Sequence, residues 1–356
     1  PMVPKFENMI KDYCNVKFAI ASNSATSSLH SACYALGVRE GDVVWTVANT
    51  FVASSNSAIY CGASVDFIDI DPGTYNICLN DLERKLKVAK ENNNLPKVVI
   101  PVHLTGQSCD MKSIHALAKE YDFKIIEDAS HSIGGEYLGN KVGSCDYSDI
   151  TVFSFHPVKI ITTGEGGIAT TKCPELSKKM DIFRSHGITR DNKMMMSESD
   201  GPWYYEQIDL GYNYRMTDIH AALGVSQFKR LDEIVKKRHE IAKRYNKNLI
   251  DLPIKVPKQS LNSYSSFHLY VVRLKLEEIS LTHREVFERL RQKKILVNLH
   301  YIPVYLHPFY QKLGFRKGYC PEAEKYYAEA ISIPIYPTLQ KKDQDIVINE
   351  LRSILN

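Results

Sequence analysis

The chain has 356 residues, 44% of them hydrophobic and 24% charged, with 45 basic against 41 acidic side chains for a formal charge of +4. One core does not fill that length, so a large lobe with a smaller companion is expected. The balanced charge gives no sign of nucleic acid as a partner, and no apolar run reaches the roughly eighteen residues of a membrane span.

Taken in chain order, "PKFENMIKDYCN" opens the sequence as a helix, and an upstream natural start is expected to be missing. "FAIAS" (18–22) then precedes the helical "SATSSLHSACYALG", "DVVWTV" precedes "FVASSNSAIYCGA", and "SVDFIDID" precedes "LNDLERKLKVAKEN". "KVVIPVHL", "MKSIHALAKEYD" and "FKIIEDAS" continue the alternation. Short apolar strands separated by helices predict buried parallel strands in a doubly wound α/β sheet, with sites at strand ends.

Residues 190–207 have no clear period and predict a mobile loop. Beyond about residue 225 a long charged helix, "FKRLDEIVKKRHEIAKRYNKNL", leads to "SSFHLYVVRL", "THREVFERLRQKK" and a terminal helix from Lys341. The expected division is a large domain over 1–225 and a smaller α+β domain over 226–356. The basic runs Lys236 to Arg238 and Arg291, Lys293, Lys294 read as solvated helix faces. Cysteines at 14, 33, 61, 78, 109, 145, 173 and 320 form no C-x-x-C pair and no zinc spacing. Reduced thiols, no metal site, no cleavable leader and a cytoplasmic location are expected.

Three stretches carry possible chemistry. "IIEDASHSIGG" (125–135) puts Asp128 at the end of an apolar strand, where a buried carboxylate calls for a cation; alone it also fits a helix N-cap. "SNSATSSLHSA" (22–32) sets small hydroxylated residues at a strand-to-helix turn, which suits a phosphate or ordinary capping. "FSFHPVKIITTGEGGIATT" (153–171) places Lys159 between Val158 and Ile160. Desolvation lowers a lysine's pKa and frees a neutral amine for Schiff-base chemistry, whereas a snorkelling lysine is the plain alternative. Glu165 either tunes Lys159 or caps the turn. Cradle, carboxylate and amine together are what pyridoxal 5'-phosphate (PLP) requires, and Phe51 in "ANTFVASS" offers a ring to stack on it. No G-x-G-x-x-G and no Walker loop occurs, which counts against an NAD-dependent oxidoreductase. A PLP-fold regulator without catalysis predicts loss of Lys159 or Asp128, and both are present.

"NSATSSLHSA", "NTFVAS", "EDASHSIGG", "FSFHPVKIITTGEGG" and "GYNYRMTDIHAALG" resemble, in that order, the motifs of the DegT/StrS-type nucleotide-sugar aminotransferases, a branch of the fold-type I PLP enzymes. The resemblance implies a mostly parallel mixed sheet flanked by helices, a small C-terminal domain, and a homodimer with shared active sites. It implies that Lys159 carries the cofactor and moves the proton, that Asp128 holds the pyridine nitrogen, that His131 lies near the ring hydroxyl, and that Phe51 covers the ring. Ala25, Thr26 and Ser154 would hold the phosphate, and Asn213 the phosphate in the neighbouring subunit. Arg215, His300, Tyr301 and His186 would meet substrate; His186 and Arg190, in "RSHGITR", either stand near the active-site entrance or are satisfied polar groups at a helix end. "VNLHYIPVYLHPFY" (297–310) has two histidines, but no acid partner, and its prolines break the helix that metal ligation prefers.

Some family members carry histidine at the lysine position and dehydrate instead; Lys159 speaks against that. "SFHPVK" with the 297–310 motif resembles the PseC-type branch, which aminates C4 of a UDP-linked 4-keto-6-deoxy-N-acetylhexosamine, with L-glutamate as donor, on the route to pseudaminic acid. Another UDP- or dTDP-linked keto sugar, aminated at C3 or C4, is the alternative. Family chains usually carry a further segment before the first helix, and its sugar contacts are not represented in this sequence.

Overall fold

The computed structural model describes residues 1–355. Seven strands form the main sheet, in the order Phe18–Ser22, Gly167–Thr171, Ile150–Ser154, Lys124–Asp128, Val98–Ile100, Val43–Val47 and Ser64–Ile68. Val98–Ile100, Ile150–Ser154 and Gly167–Thr171 are buried along their whole length, as strands covered on both faces must be. The pairings from Ile150–Ser154 across to Ser64–Ile68 are parallel.

Gly167–Thr171 is the exception, antiparallel to both of its neighbours. The loop that returns it from Ile150–Ser154 contains no helix, and the chain doubles back through it. The reversal leaves Phe18–Ser22, Lys124–Asp128 and Ile150–Ser154 pointing the same way. Their C-terminal ends therefore lie at one edge, where ligands of open α/β sheets bind.

Helices cover both faces. Met2–Cys14 buries Phe6, Ile10 and Cys14, one stripe at a spacing of four, against the helix Asp218–Phe228. Gly224 permits that approach: a Cβ there would stand 2.8 Å from Phe6 Cζ and from Thr163 Cγ2.

The remaining core surrounds a three-stranded antiparallel sheet, Ile254–Lys255, Tyr270–Leu274 and Ala330–Ile333, packed by helices Leu231–Leu249, His283–Gln292 and Lys341–Leu355. We retain a division near residue 225 as a proposal, with one qualification from packing. Val304, Tyr305, Tyr310 and Tyr326 share a core with Trp45, Phe67 and Val99 of the large sheet. The buried pair Arg273 and Glu329 (Nη2 to Oε2, 2.8 Å) fastens the same region, and Arg273 also donates to the carbonyl of Pro72 at 3.2 Å.

The stretch expected to be a mobile loop has an internal tie. Ile188–Thr189 pairs with Glu206–Gln207, and the Glu206 carboxylate accepts from Met196 N at 2.6 Å, Ser197 N at 2.9 Å and the Tyr204 hydroxyl at 2.9 Å. All eight cysteines are free thiols. No helix among the described residues is long and apolar enough to cross a membrane, and none of their side chains cluster as a metal site.

Candidate active site

At the sheet edge lies a cavity of about 460 Å³ lined by Ala25, Thr26, Phe51, Asp128, His131, Ser154, Lys159, His300 and Tyr301 among others. Nine residues singled out in separate stretches thus meet in one place.

The helix Ala25–Ala35 opens at this cavity. Ser24 caps it, its hydroxyl accepting from Ser27 N at 3.1 Å, while the first N–H groups have no partner within the helix. Gly167 sets the distance. It pairs with Ser22 on one side and Ser154 on the other, and a Cβ on it would fall 2.5 Å from Ser24 O and 2.6 Å from Ala25 N. Only a bare backbone lets the strand pass under the helix start and bring Ser154 beside it. The result is a set of N–H donors and hydroxyls suited to an anion.

Asp128 is 4% exposed at the end of its strand. Its Oδ2 accepts from Ser54 Oγ at 2.7 Å and its Oδ1 from Ser130 N at 3.1 Å. No helix follows, so the N-cap reading falls away and the Ser130 contact is a local turn. No ion pair neutralises this carboxylate among the described residues. A buried charge held by two neutral donors and facing a cavity suits a cationic ring N–H.

Lys159 stands in the loop between two adjacent antiparallel strands. Phe155 N to Gly166 O (2.9 Å) and Thr163 N to Phe155 O (3.0 Å) close that loop, and Lys159 N bonds His156 O at 2.9 Å. Burial pushes its ammonium down to about 8, against a smaller upward pull from Asp128. Of the two residues that flank it, Ile160 is 5% exposed, yet Val158 is 64% exposed. The cavity walls do most of the desolvation. Glu165 faces His156 (Oε1 to Nε2, 3.7 Å) and is not paired with Lys159.

His131 Nε2 lies 3.1 Å from the Tyr301 hydroxyl, and its buried Nδ1 has no partner. Burial first, then the charges of Lys159 and His300, hold His131 well below the ordinary histidine range, so the ring is neutral. Tyr301 N donates to Asn49 Oδ1 at 2.9 Å. His300, lowered to about 4 by burial and then by Lys159, sits 2.8 Å from Ser332 Oγ through Nδ1. Phe51 is 58% exposed at the cavity, its ring centroid 6.2 Å from that of Tyr301.

Four expected residues lie elsewhere. Asn213, Arg215, His186 and Arg190 are exposed and absent from this cavity. Asn213 forms a bridge with Ser185, the carbonyls of Asn213 and Tyr214 accept from Asn23, and Arg190 lies over the Tyr205 ring at 6.0 Å. His186 and Arg190 do not line this chain's own cavity. Sequence reasoning missed Ser54, Asn49 and the His156 to Glu165 contact. A serine three residues after Phe51 gave no sign of reaching Asp128, some seventy positions away.

The fit to PLP is good on these grounds: an uncompensated buried carboxylate, a neutral imidazole with an orphaned nitrogen, a depressed amine and an N–H cradle share one cavity. The profile of the DegT/DnrJ/EryC1/StrS aminotransferase family matches residues 1–352. The chain is 40% identical over 357 residues to the UDP-4-amino-4,6-dideoxy-N-acetyl-beta-L-altrosamine transaminase of Campylobacter jejuni subsp. jejuni serotype O:23/36, covering 99% of this chain and 89% of that one. Among solved structures, Helicobacter pylori PseC, an aminotransferase of pseudaminic acid biosynthesis, superposes with a TM-score of 0.90 at 30% identity, covering 100% of this chain and 91% of that one. Spr1654 of Streptococcus pneumoniae, described as a sugar aminotransferase and solved in its PLP form, gives 0.88 at 29% identity, over 99% and 91%.

Proposed function

The chain belongs to the DegT/DnrJ/EryC1/StrS aminotransferase family, and from that premise we propose that this PLP-dependent sugar-nucleotide aminotransferase moves nitrogen from L-glutamate to C4 of a UDP-linked 4-keto-6-deoxy-N-acetylhexosamine. The step would serve pseudaminic acid biosynthesis, the pathway of Helicobacter pylori PseC. One observation carries the reading: the depressed Lys159 amine and the unpaired Asp128 carboxylate share a cavity with the start of the helix Ala25–Ala35.

In this reading Ala25, Thr26 and Ser154 hold the cofactor phosphate, Asp128 the ring nitrogen, His131 the ring hydroxyl and Phe51 the ring face. Bound there, PLP supplies an aldehyde carbon for amines and a sink for the electron pair left at the reacting carbon. Lys159 Nζ, its ammonium pushed down to about 8 by burial, would move the proton between the substrate carbon and the cofactor's aldehyde carbon, in one direction with the donor and in the other with the sugar. Ser54 would keep the Asp128 carboxylate aimed at the ring nitrogen. Tyr301 fixes the neutral His131 and, with Phe51, narrows the way for water.

The exposed Asn213 and Arg215 fit a homodimer in which each copy completes the other's site. The deciding experiment supplies glutamate with a panel of UDP- and dTDP-linked keto sugars and identifies the product by NMR. Amination of the UDP-4-keto sugar is expected. Turnover confined to dTDP-3-keto sugars would overturn the C4 assignment.

A further inference from the structure

Two buried imidazoles lie side by side at the active site, and only one of them has a part in the reading above. His131 lines the cavity that holds Lys159, whereas His268 does not. The His268 ring centroid stands 4.4 Å from that of His131, with the two planes inclined by 44°. His268 is 6% exposed and His131 5%, and in each the Nδ1 atom is buried without a hydrogen-bond partner. A buried polar nitrogen left unpaired is costly, and two of them in adjacent rings call for an explanation.

The turn that carries His268 is held from several sides. Phe267 has a φ of 47°, left-handed backbone that a bulky side chain rarely adopts. Arg238, 4% exposed, fixes it there, with Nη1 donating to the carbonyls of Phe267 (2.9 Å), His268 (3.1 Å) and Ile335 (3.0 Å). Ser265 Oγ accepts from Phe267 N at 3.1 Å, and Ser266 Oγ donates to the carbonyl of His131 at 2.6 Å. Gly106 permits the close approach, since a Cβ on it would fall 2.5 Å from Ser266 Oγ and 3.0 Å from His131 O. Two distant segments of the chain are thus clamped with one histidine against the other.

The partners of each ring limit where its proton sits. Nε2 of His131 lies 3.1 Å from the Tyr301 hydroxyl, which can donate or accept. Burial first, then Lys159 and His300, keep His131 neutral; burial first, then His131, Lys159, Arg238 and His300, do the same for His268. A neutral imidazole has one N–H and one lone-pair nitrogen, and the hydrogen bond at one nitrogen decides which atom carries the proton. Adjacent neutral rings can therefore satisfy each other, one Nδ1 donating and the other accepting.

We propose that His268 is a positioning residue for His131: its Nδ1–H donates to Nδ1 of His131, which leaves the His131 proton on Nε2, the nitrogen beside Tyr301. Neither ring gains or loses a proton. The inference rests on the placement of His131 at the cofactor's ring hydroxyl and adds how that imidazole comes to have an N–H to offer there.

The test is 15N NMR of histidine-labelled protein, with and without PLP, in wild type, His268→Phe and His268→Asn. His268→Phe keeps a ring and removes the donor, while His268→Asn keeps a donor close to the Nδ1 position. Wild type is expected to show His131 as the Nε2–H tautomer, His268→Phe a mixture of tautomers, and His268→Asn the wild-type pattern. The pH midpoint of the cofactor's visible absorbance should move in His268→Phe alone, with the glutamate half-reaction about tenfold slower and KM unchanged. Wild-type His131 with its proton on Nδ1, a result that needs no variant to fold, would overturn the inference, and so would an unaltered tautomer in His268→Phe. If the tautomer changes in His268→Phe while the cofactor titrates as in wild type, the histidine pair stands and the placement of His131 at the ring hydroxyl fails.

Discussion

The hydroxyl of Ser54 donates to Oδ2 of Asp128 at 2.7 Å, and Thr50 Oγ1 lies 2.8 Å from that same hydroxyl. Ser54 lies in the first turn of the helix Ala53–Tyr60 and Asp128 ends the strand Lys124–Asp128, yet among the described residues this is the sole side-chain donor to Asp128. A hydrogen bond to a charged group contributes about 1.5 to 3 kcal/mol, so Ser54 governs how firmly the carboxylate is aimed.

Ser54→Ala should therefore keep the cofactor and lose roughly ten- to a hundredfold in kcat, since about 1.4 kcal/mol is tenfold. Ser54→Thr should restore most of the loss. Cofactor absorbance together with single-turnover rates on glutamate separates this from unfolding; unchanged rates in Ser54→Ala would remove Ser54 from the account.

Lys159 predicts a pH dependence with a definite sign. The fold lowers its pKa from the ordinary 10.5 to about 8, so between those values the unfolded chain holds the extra proton and the apo-protein gains stability as pH rises. Below that window both states are protonated and the contribution is constant. The rate at which apo-protein captures added PLP should rise with a midpoint near 8, and Asp128→Asn, which removes the upward pull, should move that midpoint lower. A midpoint near 10.5 would mean that Lys159 is not desolvated.

Gly167→Ala tests the cradle. The added methyl meets Ser24 O and Ala25 N at 2.5 and 2.6 Å, so the helix start must move away from Ser154. Overpacking of this kind costs about 1 to 3 kcal/mol, and the expected effect is weaker PLP retention in dialysis with circular dichroism unaltered. Retention equal to wild type would show that the cradle tolerates displacement.

Arg273→Met leaves Glu329 charged and buried, which should cost about 3 to 5 kcal/mol in a urea titration. Arg273→Met combined with Glu329→Leu should recover much of it. A single variant as stable as wild type would mean that water reaches the pair.

Much of the site was legible because it is built from local signals. Asp128 ends an apolar strand, Ser24 begins a helix, and Lys159 precedes a glycine cluster; each is a short-range pattern with a physical reason. Residues whose roles depend on long-range contacts left no trace. Ser54 reaches Asp128 only once two crossovers have been laid side by side, and Arg238 looked like part of a solvated basic face although it is buried against three carbonyls. The reversed strand Gly167–Thr171 was hidden for a similar reason, since a fully buried strand has the same apolar texture in either direction.

The loop from Phe155 to Gly166 is cinched at its base by the Phe155 to Gly166 bond, while the cradle lies under Gly167 and the carboxylate seat is held by Ser54. Phe155, Ile160, Ile161 and Thr163 anchor that loop in the core, while the Ser54 to Asp128 bond and the cap at Ser24 are made without Lys159. A chain organised in this way can acquire a different reaction at one position while inheriting its binding apparatus intact, which makes the scaffold unusually open to evolutionary change of chemistry.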